Sequence, residues 1–257
     1  MFSRLHTFLL ISSCFLGAIA SGCAQPNGSD EADSEDVQSV EQGIAGVLVT
    51  PPSAAAATGW MSWAFGQAWS NGPVQDTTGA ACANGQSGSI WYLAGTTGGA
   101  ATRSCTIPAG KTLVFPLINR WAIFRPEAYP DADAIKKLQN DVDNFFRQSH
   151  HKTCSLTLTI DGEEVGGDFD ALYENQYVLV DDPFNLYVNP GDNIFTPFGV
   201  PSGTTGGNMP AEAAGHYAVV SPLPAGDHVL ELGGKTCQNK NEVIFETHVT
   251  YNLHIDP

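Results

Sequence analysis

HVTYNLHI, residues 248–255, alternates without a break, with Val249, Tyr251, Leu253 and Ile255 on one face and His248, Thr250, Asn252 and His254 on the other. A period of two marks a strand with one buried and one wet face. CSLTLTI, residues 154–160, repeats it, with Leu156, Leu158 and Ile160 opposite Ser155, Thr157 and Thr159 and an Asp161-Gly162 turn behind. Outward from these two, further strands are expected at 46–50, 89–94, 104–107, 111–117, 176–180, 216–220 and 229–232, with the strand of 248–255 starting at 243. Short strands broken by Gly- and Pro-rich turns predict a mainly β fold with two helices, a β-sandwich or jelly-roll-like single domain.

The first expected helix is AAAATGWMSWAFGQAWS, residues 54–70, with Thr58 as an interior cap and Asn71-Gly72-Pro73 as its stop. Trp60, Met61, Trp63, Phe65 and Trp69 cover nearly every face, so this helix is buried or docks onto something. The second opens after Pro130 with Asp131 as cap and carries Ile135, Leu138, Val142, Phe145 and Phe146 at helical spacing until His150.

The N-terminus is laid out as a signal peptide over residues 1–22, with Arg4, an apolar run over 8–20, and Ala20-Ser21-Gly22. Ala20-Ser21-Gly22-Cys23 resembles the lipobox of bacterial lipoproteins, which implies acylation of Cys23 and attachment to the outer membrane or cell surface. Ala18-Ile19-Ala20 offers ordinary signal peptidase a site instead, which would release a secreted protein. Residues 23–43 carry six acids, no base and few apolar side chains, and read as an acidic flexible tether. The domain is then 44–257. Removing Arg4 and the tether acids from the 11 basic and 27 acidic residues leaves it at about −11. No basic stripe exists to neutralise phosphates, so nucleic acid is not an expected partner.

Cysteine usage fits export. Lipidation of Cys23 leaves Cys82, Cys105, Cys154 and Cys237, an even set without a C-x-x-C pair, which reads as two disulfides rather than a zinc site. Three connectivities are open. Cys82 with Cys105 and Cys154 with Cys237 is the expected one.

Two longer strings carry a resemblance. GQSGSIWYLAGTTGG with CTIPAGKTLVFPLIN (residues 85–99 and 105–119), and PLPAGDHVLELGG closing with HVTYNLHI, are similar to a family of exported bacterial proteins without an assigned function. The Q-x-G-x-x-W-Y-L-A-G-T and C-x-I-P-A-G-K motifs imply a shared fold over most of 57–255 and no chemistry.

The motifs of common enzymes are missing. Gly85-Gln86-Ser87-Gly88-Ser89 lacks the last glycine of a nucleophile elbow, and no H-E-x-x-H or P-loop occurs. A triad assembled from distant residues leaves no such trace. The leading expectation is therefore a ligand- or carbohydrate-binding module, with an unrecognised extracellular hydrolase and a non-catalytic structural envelope protein as alternatives. Gln86, Trp91 and Tyr92 pair flat rings with an amide beside flexible glycines, as a glycan requires, although strand neighbours face opposite ways and one ring must be core. The run Arg120 to Pro130 breaks the β pattern with cationic and aromatic residues, so Asn119, Arg120 and Asp76 are the catalytic or polar-contact candidates, with Arg125 a further ligand contact.

For metals, Asp181, Asp182 and Asp192 with their Asn and Pro neighbours form a turn-rich, oxygen-bearing stretch that calcium would favour; the same residues also make turns by themselves. His150 and His151 end a helix, where imidazolium complements the dipole. His248 and His254 share a strand face too far apart for one ion, and His216 with His228 would meet only across adjacent strands.

Overall fold

The computed structural model describes residues 46–124, 131–196, 199, 206–238 and 242–257. Cys23, the leader, the tether and Arg125 lie outside them. Two five-stranded sheets form the domain. In the first, β8 (Gly207–Val220) is flanked on one edge by β4 (Thr112–Ile123) and on the other by β7 (Tyr177–Val188) and β1 (Val49–Thr50) in succession, and β2 (Ile90–Tyr92) runs parallel to β4 at the border. The second runs β3 (Gly99–Ile107), β10 (Glu242–Ile255), β9 (Gly226–Gln238), β5 (Thr153–Ile160), β6 (Glu163–Glu164), with β3 parallel to β10.

The alternating residues of the opening motif face the other sheet as expected. Val249, Tyr251, Leu253 and Ile255 join Leu156, Leu158, Ile160, Leu230 and Leu232 against Leu113, Phe115, Ala218 and Val220 of the first sheet, all buried. Each such side chain removed from water contributes about 1.5–3 kcal/mol. Both expected disulfides are present: Cys82–Cys105 ties a surface turn to β3, and Cys154–Cys237 ties the start of β5 to the end of β9, with Cα atoms 5.9 and 5.8 Å apart. They belong to an oxidising compartment. No helix among the described residues is long and apolar enough to cross a membrane.

Three helices are present among the described residues, where two were expected. Helix α1 (Ala54–Gly66) is capped by Ser53, whose side chain accepts from Ala56 N, rather than by Thr58, and stops at Gly66 rather than Ser70. It lies on the outer face of the first sheet, where Trp60, Met61, Trp63 and Phe65 pack with Val180, Leu186, Met209 and Tyr217. Helix α2 (Ala132–His150) takes Asp131 as its cap as expected. Helix α3 (Phe169–Asn175), capped by Asp168, is a single short turn pair that buries only Leu172, too little for a periodic signal.

The strand boundaries also moved where local propensity misleads. β7 continues from Val180 through Asp181-Asp182-Pro183 to Val188 because its register shifts between Val180 and Phe184, and that irregularity accommodates the proline. Asp181 and Asp182 therefore stand on a strand, not in a turn-rich loop. β8 begins at Gly207, not His216; Met209-Pro210-Ala211-Glu212-Ala213-Ala214 has poor strand propensity but is held between two partners.

Candidate functional site

Two cavities border β4, and the strand's alternation separates them. Asn119 and Trp121 face α1, whereas Ile118 and Arg120 pair with His216 and Ala214 and face the interior side of the sheet. Gly215 permits this: it lies against β4 where a Cβ would come within 2.6 Å of the Asn119 Cα.

The larger cavity, about 200 Å³, opens where the chain crosses from β2 to β3. Trp60, Phe65, Trp121 and Phe245 supply its aromatic walls, and Asn119 and Thr96 its polar edge; among the described residues no ionisable side chain lines it. Trp121 meets Phe65 edge-on at 5.1 Å between ring centroids. The Trp60 indole N–H is already spent on Leu93 O at 2.8 Å, so that ring offers only its surface. Asn119 donates from Nδ2 to the Tyr217 hydroxyl at 3.0 Å, which fixes the amide, while its Oδ1 makes no hydrogen bond among the described residues. Thr96 is bonded to Thr247 and to Gly99 O, so the rim is braced against β10.

Arg103 holds the floor of this cavity and was not anticipated. It is 2 % exposed, and its five N–H groups donate to the carbonyls of Val74, Asp76, Ala94 and Gly95 and to the Tyr251 hydroxyl. Val74 and Gly95 are themselves wall residues. The signal was present in the sequence: Ala101, Arg103, Cys105 and Ile107 are in phase on β3, which puts the arginine on the buried face. Asp76 serves the same loop. Its carboxylate accepts from Thr78 N and Oγ1 and from Ala81 N, each at 2.8 Å. Burial pushes that carboxyl up, but these bonds and the nearby Arg103 charge outweigh it and hold it below the usual aspartate range. Asp76 is a turn anchor, not a catalytic candidate.

The other expected ligand contacts divide. Trp91 is core, at the interface of the sheets. Tyr92 stacks on Trp63 with centroids 5.7 Å apart, and Gln86 spends its amide on Cys82 O and on the Tyr92 backbone, so this trio braces the fold and presents no platform. Arg120 lies under α2, with its guanidinium 5.3 Å from the Phe145 ring centre. Among the described residues of the expected set, only Asn119 borders the aromatic cavity.

The smaller cavity, about 20 Å³, is water-sized and lies between β4, β8 and the C-terminal end of α2. The His150 and His216 rings lie 5.4 Å apart there, between Tyr173 and Tyr177. His216 is 1 % exposed with no hydrogen-bond partner on either ring nitrogen. Burial, and then the charge of His150, push it down to about 4 against a weaker opposing pull from the Tyr173 backbone. His150 is likewise lowered, first by burial and then by His151, so it rests neutral against the sheet rather than charged at the helix end.

The remaining candidates are scattered. His216 is in the first sheet and His228 in the second, so they do not meet; His228 binds Asp161 at 2.7 Å instead. Asp181 pairs with Arg147, and Asp192 accepts from Ser70. Among the described residues no group of three or more His, Cys, Asp or Glu side chains is placed to hold a metal ion. No protein family, curated protein or solved structure matches the chain.

Proposed function

We propose that this chain is an exported, lipid-anchored envelope protein whose domain binds a neutral, ring-sized ligand, a sugar unit of a glycan fitting best, in the cavity walled by Trp60, Phe65, Trp121 and Phe245. The observation that carries the reading is the chemistry of that lining. Four aromatic rings, with no ionisable group beside them among the described residues, suit a ligand with an apolar face, and the Asn119 Oδ1 and the Thr96 edge supply hydrogen bonding at the rim. About 200 Å³ has room for one sugar ring. A domain of about −11 charge would repel anionic ligands before they reached it.

The anchor rests on arithmetic. Cys82, Cys105, Cys154 and Cys237 satisfy one another, so Cys23 has no disulfide partner left in the domain and is free for acylation. A signal peptide and an acidic spacer would then hold the domain off the membrane surface.

Tryptophan fluorescence of residues 44–257, titrated with neutral monosaccharides and short glycans, tests the binding. A saturable change that Trp121→Ala abolishes while the thermal midpoint stays near wild type is the expected result. A change that survives both Trp121→Ala and Asn119→Ala would place the ligand elsewhere.

A further inference from the structure

Glu212, Ala214 and His216 lie on the face of β8 that carries Ala218 and Val220 into the inter-sheet core, but further along the strand, where α2 takes the place of the second sheet. This end of the core is polar. Glu212 is 0 % exposed, and neither of its carboxyl oxygens has a hydrogen-bond donor. Asp143 lies on α2, which packs on β8, and its charge acts on Glu212; its Oδ1 is buried and, among the described residues, equally without a hydrogen-bond partner.

We propose that α2 is a proton-dependent cover: Glu212 is protonated while α2 is docked and directs its O–H toward Asp143, and loss of that proton releases α2 from the sheet. Two bare carboxylates in buried contact repel and leave every oxygen unsatisfied, whereas one shared proton makes one a donor to the other. The proton passes to solvent, and no other reactant takes part.

The surroundings set the sign. From α2, Asp143 acts on Glu212; from β7, Asp181 and Asp182 add negative charge; on β4, Arg120 stands two positions from the Ala122 that pairs with Glu212; on β8 itself, His216 is neutral. Arg147 of α2 is engaged by Asp181. Burial first, then Asp143, Asp181 and Asp182, push Glu212 up to about 8. The docked state therefore binds a proton that the released state gives up above its ordinary range near 4.5. Docking weakens as pH rises between those values and levels off above the higher one. Burial lowers both His216, to about 4, and His150, so neither gains a charge where Glu212 loses its proton.

The helix is lightly held, as a releasable element must be. Of its 19 residues only Phe146 and Ser149 are buried. Its fixed points are at the C-terminal end, where the Tyr177 hydroxyl donates to Phe146 O at 3.2 Å and the Tyr173 hydroxyl to His150 O at 3.0 Å.

Hydrogen exchange read by mass spectrometry from pH 6 to 9, corrected for the chemical exchange rate, tests this on the full domain. Protection over 132–150 is expected to fall by roughly tenfold per pH unit up to about pH 8 and then flatten, while β9 and β10 stay constant. In Glu212→Gln the pH dependence is expected to vanish; in Asp143→Asn an amide donor faces the Glu212 carboxylate while burial remains, so the fall is expected to shrink and to move to lower pH; if one variant fails to fold, the other decides. Flat protection in the wild type, a fall that persists in folded Glu212→Gln, or one left unchanged in folded Asp143→Asn, would overturn the proposal.

Discussion

Arg103 shows how one side chain connects sequence, packing and site. Four of its five hydrogen bonds go to the carbonyls of Val74, Asp76, Ala94 and Gly95, of which Ala94 O also accepts from the Tyr251 hydroxyl, and Val74 and Gly95 belong to the cavity wall. Leaving a buried acceptor unsatisfied costs about 1–3 kcal/mol. Arg103→Met is therefore expected to lose at least about 3 kcal/mol in urea unfolding, with Arg103→Lys recovering only part because one ammonium cannot span four carbonyls. Asp76 yields a pH prediction. Its folded carboxyl is depressed, so its contribution is fully present above the unfolded aspartate range and is lost as pH falls through the folded one. Asp76→Asn should lower stability at neutral pH and flatten the acid limb below about pH 4, as urea midpoints at a series of pH values would show.

At the scale of elements, the legible parts are those in which local preference and tertiary environment agree. β10 and β5 announce themselves by strict alternation, and α2 by its cap and spacing, because each has one apolar face. β8 does not: Pro210, Glu212 and four alanines lack strand character, and only the pairing with β4 and β7 keeps them extended. Glu212 was illegible for that reason, since nothing local says a glutamate there is buried. The expected aromatic platform at Trp91 and Tyr92 failed for a different one, because adjacency in sequence gives no information on which ring meets the second sheet and which meets α1. The four cavity rings come instead from three elements far apart in sequence, α1, β4 and β10, and no spacing rule gathers those. Of the crosslinks, Cys154–Cys237 closes 83 residues and joins β5 to β9. Replacing both cysteines by alanine should cost about 2–4 kcal/mol, measured by chemical denaturation with Cys82–Cys105 intact.

On the scale of the whole molecule, the sandwich divides its work by face. The inter-sheet core is apolar and continuous until α2, where it turns polar, while the outer face of the first sheet carries α1 and the uncharged aromatic cavity. β4 serves both, with Arg120 on one side and Asn119 and Trp121 on the other. Exchanging Cys23 for serine should abolish fatty-acid labelling of the exported chain and leave the domain's unfolding unchanged. The most direct test of ligand binding is a nitrogen-15 correlation spectrum of the domain titrated with neutral glycans, following the side-chain amide of Asn119 and the five indole N–H signals. The account predicts that Asn119, Trp60 and Trp121 shift together and saturably with one sugar class while Trp91 stays still; shifts confined to Trp91 or to the α2 face, or none with any neutral sugar, would contradict it.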